Sequence, residues 1–307
     1  MIEQQIPFLE TSHEGGPQRE NAASSLPHRS PGIPAALELR QLDLFESHAA
    51  RFAQVEEALR EGRFSSAAVL ARSVGQRHGL AEAIGLAKEL ERLDICLEQV
   101  ANDPEKMVAL FEKPDSLIRS RLTAALKAAL LCGLHRSVAE AAERGGLVAV
   151  LERPVGWYWL RAEKTDKAMA ALEAAVLHKT VVGESLSILG NLAFGEKAIG
   201  KARDLYRRAF CEDPSGVMVQ TIIDSEVQGV LDDAEDLGLE PVKEWVPMVG
   251  YAAGLFRLPD EPQGRGACRE FHAALLAGRR TGDVRHRRRM KDLASLLFEW
   301  LRDAKKL

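Results

Sequence analysis

An all-α fold of stacked helix hairpins is what this sequence predicts, on three observations. Apolar residues recur at helical spacing from Ala35 almost to the C-terminus. Alternating runs rich in Val, Ile and Thr, the mark of strands, are nearly absent. One pattern of small and large residues occurs twice at an offset of 34: Gly156/Gly190, Ala168/Ala202, Leu172/Tyr206 and Ala175/Ala209. Repetition at that period belongs to helix pairs that each need a neighbour to cover an apolar face. Aromatics make up only 6% of the chain, while Ala and Leu recur throughout. Small residues let helices approach closely, so helix-on-helix packing is favoured over a sheet.

In order along the chain, residues 1–34 hold Pro7, Gly15, Gly16, Pro17, Pro27, Pro31, Gly32 and Pro34. Too few apolar groups lie between them to offset the entropy of ordering, and a flexible tail is expected. Residues 36–60 carry Leu37, Leu44, Phe45, Phe52, Val55 and Leu59 at amphipathic spacing. Gly62 can close that helix in a left-handed conformation, with Ser65 or Ser66 capping the next, which runs through Ala71 and Val74. Region 80–146 reads as helical with weaker periodicity, divided at Asp103-Pro104 and Lys113-Pro114. Cys132-Gly133-Leu134-His135 reads as a further hairpin turn, and Gly145-Gly146 as a break.

The two clear copies occupy 149–214. Segment 224–244 holds eight acids against Lys243, a formal −7. Segment 257–266, with Pro259, Pro262, Gly264 and Gly266, reads as a surface loop before two final helices at 267–279 and 284–304. The expected organisation is therefore a tail (1–34), helical repeats (35–220) and a C-terminal helical region (221–307).

Segment 183–216 resembles a tetratricopeptide repeat. Leu186, Leu189, Gly190 and Ala193 match the first helix of that family, and Ala202, Tyr206 and Ala209 the second, with Pro214 ending the unit. The copy at 149–182 keeps Gly156, Trp159, Ala168, Leu172 and Ala175 but lacks the proline. A fainter copy lies at 48–81 through Ala67, Ala71 and Val74. It starts one residue short of three periods before 149, so degraded repeats are expected near 82–148.

The resemblance implies a right-handed superhelical array that holds a peptide or a helix of another protein in a concave groove. Carried onto this chain, the groove positions are Arg153, Trp157, Leu160 and Arg161, then Ser187, Asn191 and Phe194. An aromatic anchor, an amide and guanidinium forks suit peptide recognition. The lysine–asparagine carboxylate clamp of some relatives finds only Asn191, with Arg153 as a partial match.

A second surface is basic: Arg279, Arg280, Arg285, Arg287, Arg288, Arg289 and Lys291 against Asp283, a formal +6. It could meet nucleic-acid phosphates or an acidic membrane surface. It equally reads as a solvated face or as the partner of the acidic 224–244 block, and aromatic interleaving for base stacking is missing.

The overall formal charge of −4 exerts no global pull toward nucleic acid or anionic membrane. Cys96, Cys132, Cys211 and Cys268 form no Cys-x-x-Cys pair and read as reduced, mostly buried thiols. Met1-Ile2-Glu3-Gln4-Gln5 lacks the pattern of a signal peptide, and no apolar run reaches the roughly 18 residues of a membrane span, so a cytoplasmic location is expected. No Gly-x-Ser-x-Gly elbow, His-Glu-x-x-His or phosphate loop appears, so no catalysis is expected. Cys268/His272 and Cys132/His135 each supply fewer ligands than a structural zinc site takes, so neither metal nor cofactor is expected.

Overall fold

Glycines and prolines set several of the helix ends in this chain, among them Gly79, Pro154, Pro241, Gly254 and Gly282. The computed structural model describes residues 52–111, 118 and 122–307. The expected tail, the helix before Phe52 and the Lys113-Pro114 boundary lie outside the described residues.

Helix α1 (52–60) stops at Gly62, whose φ of 69° continues no right-handed helix. Helix α2 (Phe64–His78) ends at Gly79 in the left-handed conformation, and α3 (Ala81–Gln99) follows after Leu80. Helix α4 (Pro104–Phe111) opens on its proline, and Asp103 accepts the Lys106 backbone N–H at 3.0 Å. Helix α5 (Ala124–Arg144) is capped by the Thr123 hydroxyl, which accepts from Leu126 N–H.

A two-residue hairpin comes next. Strand β1 (Ala149–Val150) pairs antiparallel with β2 (Arg153–Pro154), in register Val150 to Arg153. Leu151 and Glu152 turn the chain with φ of 47° and 62°. The helix pairs α6 (Val155–Arg161) with α7 (Thr165–Leu177), and α8 (Val182–Gly195) with α9 (Ile199–Glu212), carry the two sequence copies. A 3-10 turn (Val219–Thr221) leads to α10 (Ser225–Asp236), α11 (Val242–Ala253), α12 (Gly266–Thr281), α13 (Val284–Leu293) and α14 (Ser295–Asp303).

The fold is all-helical apart from that hairpin, with chain neighbours packed in pairs: α2 on α3, α6 on α7, α8 on α9, α10 on α11 and α12 on α13. Helices α5 with α6 and α7 with α8 join successive pairs, while α14 returns onto α11. One apolar group gathers Leu59, Phe64, Leu90, Leu93 and Trp159, and another Tyr206, Phe210, Met248, Phe271 and Leu275. The second group extends from Val182 to Leu301, so packing runs unbroken through residue 220. Burying each of these large side chains contributes about 1.5–3 kcal/mol.

The two copies share one packing device. A Cβ on Gly156 would sit 2.4 Å from the Leu172 side chain, and one on Gly190 would sit 2.6 Å from the Tyr206 ring. Each glycine thus seats the large residue of its partner helix, a contact common to both copies of the 34-residue pattern.

Four expectations are corrected. The Cys132–Val138 stretch is no turn but the interior of α5; Gly133 is small because a Cβ there would lie 1.8 Å from the Leu59 carbonyl oxygen of α1. Neither Ser65 nor Ser66 caps α2, which starts at Phe64 after Arg63 with no side-chain cap. The final helix is two, broken at Ala294, whose φ of −157° and ψ of 84° are not helical. Arg153, expected on a first helix, stands on β2, because Pro154 delays the start of α6 to Val155.

Candidate functional site

Arg153, Trp157 and Arg161 converge because β2 runs directly into α6. Trp157 and Arg161 are four residues apart and share one helix face. The guanidinium carbons of Arg153 and Arg161 each lie 5.1 Å from the Trp157 ring centroid. A cation over an indole gains about 0.5–2 kcal/mol, more as water is excluded. Trp157 is half-buried and packs against the first apolar group, as does Leu160.

The two arginines differ in their compensation. Arg153 donates from Nη1 to Glu184 Oε1 at 2.8 Å, and its Nη1 also lies 3.1 Å from Met218 Sδ. Glu184 is 8% exposed. Burial lifts its carboxyl above the usual carboxylate range, against the pull of Arg153. Arg161 reaches the surface, and among the described residues it has no carboxylate partner and no hydrogen bond. Partial burial, and then the Arg153 charge, pull its guanidinium below its ordinary value.

His135 of α5 completes the cluster. Its ring meets Trp157 edge-on at 5.3 Å, Tyr158 at 6.0 Å and Phe111 at 6.4 Å. Its Nδ1 is buried and has no hydrogen-bond partner. Burial first, and the Arg161 charge second, push the imidazole down to about 4. The Tyr158 hydroxyl donates to the Val150 carbonyl at 3.3 Å, tying α6 to the hairpin.

The other three expected groove residues lie apart from this cluster in their chemistry. Ser187 is 1% exposed, and its hydroxyl donates back to the Gly183 carbonyl. Asn191 donates to the Thr221 carbonyl and accepts from both the Tyr206 hydroxyl and the Ile223 N–H. Phe194 is half-buried against the second apolar group.

The basic segment is mostly committed to the fold. Arg279 donates to the Tyr251 hydroxyl and the Lys306 carbonyl, and Arg280 to the Asp260 carbonyl. Arg285 pairs with Asp283, Arg289 with Glu270 and Lys291 with Glu299. None of these partners belongs to the acidic 224–244 block, whose Asp224 and Glu226 instead hold Arg203. Among the described residues, Arg287 and Arg288 are exposed and make no ion pair.

Glu184, Met218 and Phe111 were not visible as site residues in the sequence, and His135 read only as half of a poor metal pair. Glu184 left no distinct signal, since it stands between Gly183 and Ser185 as an ordinary first-turn acid of α8. Among the described residues, no group of three or more His, Cys, Asp or Glu side chains is placed to hold a metal ion, and no helix is long and apolar enough to cross a membrane. No family model, no curated protein and no solved structure matches this chain.

Proposed function

We propose that this chain is a non-catalytic, cytoplasmic adaptor whose helix hairpins stack in the manner of tetratricopeptide repeats. It binds an extended peptide or a helix of another protein on the face carrying Trp157, Arg153 and Arg161. The observation that carries this reading is one half-buried indole with two guanidiniums over it, only one of them compensated. Aromatic and arginine side chains gathered in this way are the usual anchors of protein interfaces. The shared seating of Leu172 on Gly156 and Tyr206 on Gly190 supports repetition of one structural unit.

The test is peptide selection from a displayed random library against the full chain. Enriched peptides should lose binding to Trp157→Ala while its helical circular dichroism persists. Equal binding to wild type and Trp157→Ala would overturn the reading. Exposed, unpaired Arg287 and Arg288 favour a second reading, contact with nucleic-acid phosphates. It predicts salt-sensitive retention on RNA that Arg287→Ser with Arg288→Ser removes; no retention at low salt would eliminate it.

A further inference from the structure

We propose that Arg161 and His135 form an anion subsite beside Trp157 that takes the carboxylate of an acidic side chain in the bound peptide. The inference rests on the reading that this face binds a peptide, and it names the chemistry of one ligand residue.

Charge carries the argument. Arg153 is neutralised by Glu184, so one net positive charge remains over the indole, on Arg161. An exposed guanidinium that among the described residues has neither carboxylate nor hydrogen bond keeps its full donor fork available. His135 lies against the same indole, with a buried ring nitrogen that has no partner. One uncompensated cation matches a monoanion; a phosphate dianion would place surplus negative charge close to the buried Glu184 and Arg153 pair. Carboxylate is therefore the chemistry that fits.

A bound carboxylate would also favour the charged imidazole. Among the described residues, the groups that face His135 are Arg161 and Tyr158 of α6 and Phe111 of α4, with Arg153 and its partner Glu184 at the indole, while on its own helix Arg136 and Glu140 pair with each other at 2.8 Å. Among the described residues no acid is paired with His135, so a ligand carboxylate supplies a counter-charge. Binding then takes up a proton and tightens as pH falls below neutral.

The experiment titrates the full chain with N-acetylglutamate amide, its glutamine analogue and its phosphoserine analogue. The His135 ring signals are followed by NMR at pH 5.5 and 7.5 and assigned with His135→Gln. The glutamate compound should move those signals and raise the His135 midpoint, the glutamine compound should not, and Arg161→Gln should weaken the response on the order of tenfold. Because Arg161 lies at the surface, Arg161→Lys serves as a second variant with charge kept and the fork lost. An equal response to the glutamine compound, an unchanged response in Arg161→Gln, or tighter binding of the phosphoserine compound would each overturn the subsite. If displayed peptides bind Trp157 but tolerate Glu→Gln, the subsite falls and the adaptor reading stands. If no peptide is selected yet the glutamate compound acts through Arg161, the adaptor reading falls alone.

Discussion

The Tyr206 hydroxyl donates to Asn191 Oδ1 at 2.7 Å, and this bond anchors the segment that follows α9. The same oxygen accepts the Ile223 N–H at 3.2 Å, and the Asn191 amide donates to the Thr221 carbonyl at 2.8 Å. Asn191→Ala should therefore cost about 2–4 kcal/mol, because three partners lose their bonds at once. Tyr206→Phe should cost about 1 kcal/mol. Urea unfolding measures both, and hydrogen exchange at the Ile223 amide should quicken in the asparagine variant alone. Peptide capture should survive Asn191→Ala below its unfolding transition.

Two glycines on helices should respond oppositely to alanine. At Gly133 the added Cβ meets the Leu59 carbonyl oxygen at 1.8 Å, so α1 and α5 must separate. A loss of about 3 kcal/mol or more is expected from such backbone displacement. Gly229 lies inside α10, and an added Cβ there would meet nothing within 4 Å. Gly229→Ala should gain about 0.5–1 kcal/mol from helix propensity. Thermal melts of the two variants, shifted in opposite directions, check the pair.

The pH dependence of stability should carry the imprint of His135. In the fold its imidazole stays neutral down to about 4, against 6.5 for the free group. Between these values the unfolded chain binds the extra proton. Stability from this site is complete above about pH 6.5 and falls as pH drops toward 4, by about 3 kcal/mol in total. Glu184 acts the other way, since its raised carboxyl favours the folded state on acidification. Urea unfolding of wild type and His135→Gln across pH 7 to 4 isolates the histidine. Identical slopes in the two proteins would refute its assignment.

Cysteine reactivity should separate one thiol from three. Cys96 is half-exposed, whereas Cys132, Cys211 and Cys268 are buried. Burial pushes the Cys211 thiol up to about 11 and raises those of Cys132 and Cys268 as well. A maleimide at pH 8 should label only Cys96 in the native chain, and all four thiols in urea. Mass spectrometry of the labelled peptides reads the result.

Much of the fold was legible because helix packing leaves its demand in residue size. The 34-residue spacing marks Gly156, Leu172, Gly190 and Tyr206 as packing positions, and the structure pairs each glycine with the large residue of its partner helix. Gly133 misleads for the same reason: a glycine demanded by close approach and one demanded by a turn are the same letter. Only the position of Leu59, far away along the chain, tells them apart. The candidate site was legible only in part. Trp157 and Arg161 sit on one helix face and travel together in any helical reading. Their compensation does not, because Glu184, Met218 and His135 arrive from other elements. Asn191 and Ser187 were assigned to the groove by position in a repeat, and no local pattern announces that their polar atoms are used inside the fold.

The edge-on contact of His135 with Trp157 gives the chain an optical gauge. A protonated imidazole accepts an electron from an excited indole far more readily than a neutral one. Emission from Trp157 should therefore dim as His135 gains its proton and brighten as it loses it. Among the described residues, Trp157 is the indole paired with an imidazole, while Trp159 and Trp245 sit in the interior and Trp300 is half-buried against the second apolar group. Light from the unlabelled protein can thus follow occupancy of this face in real time.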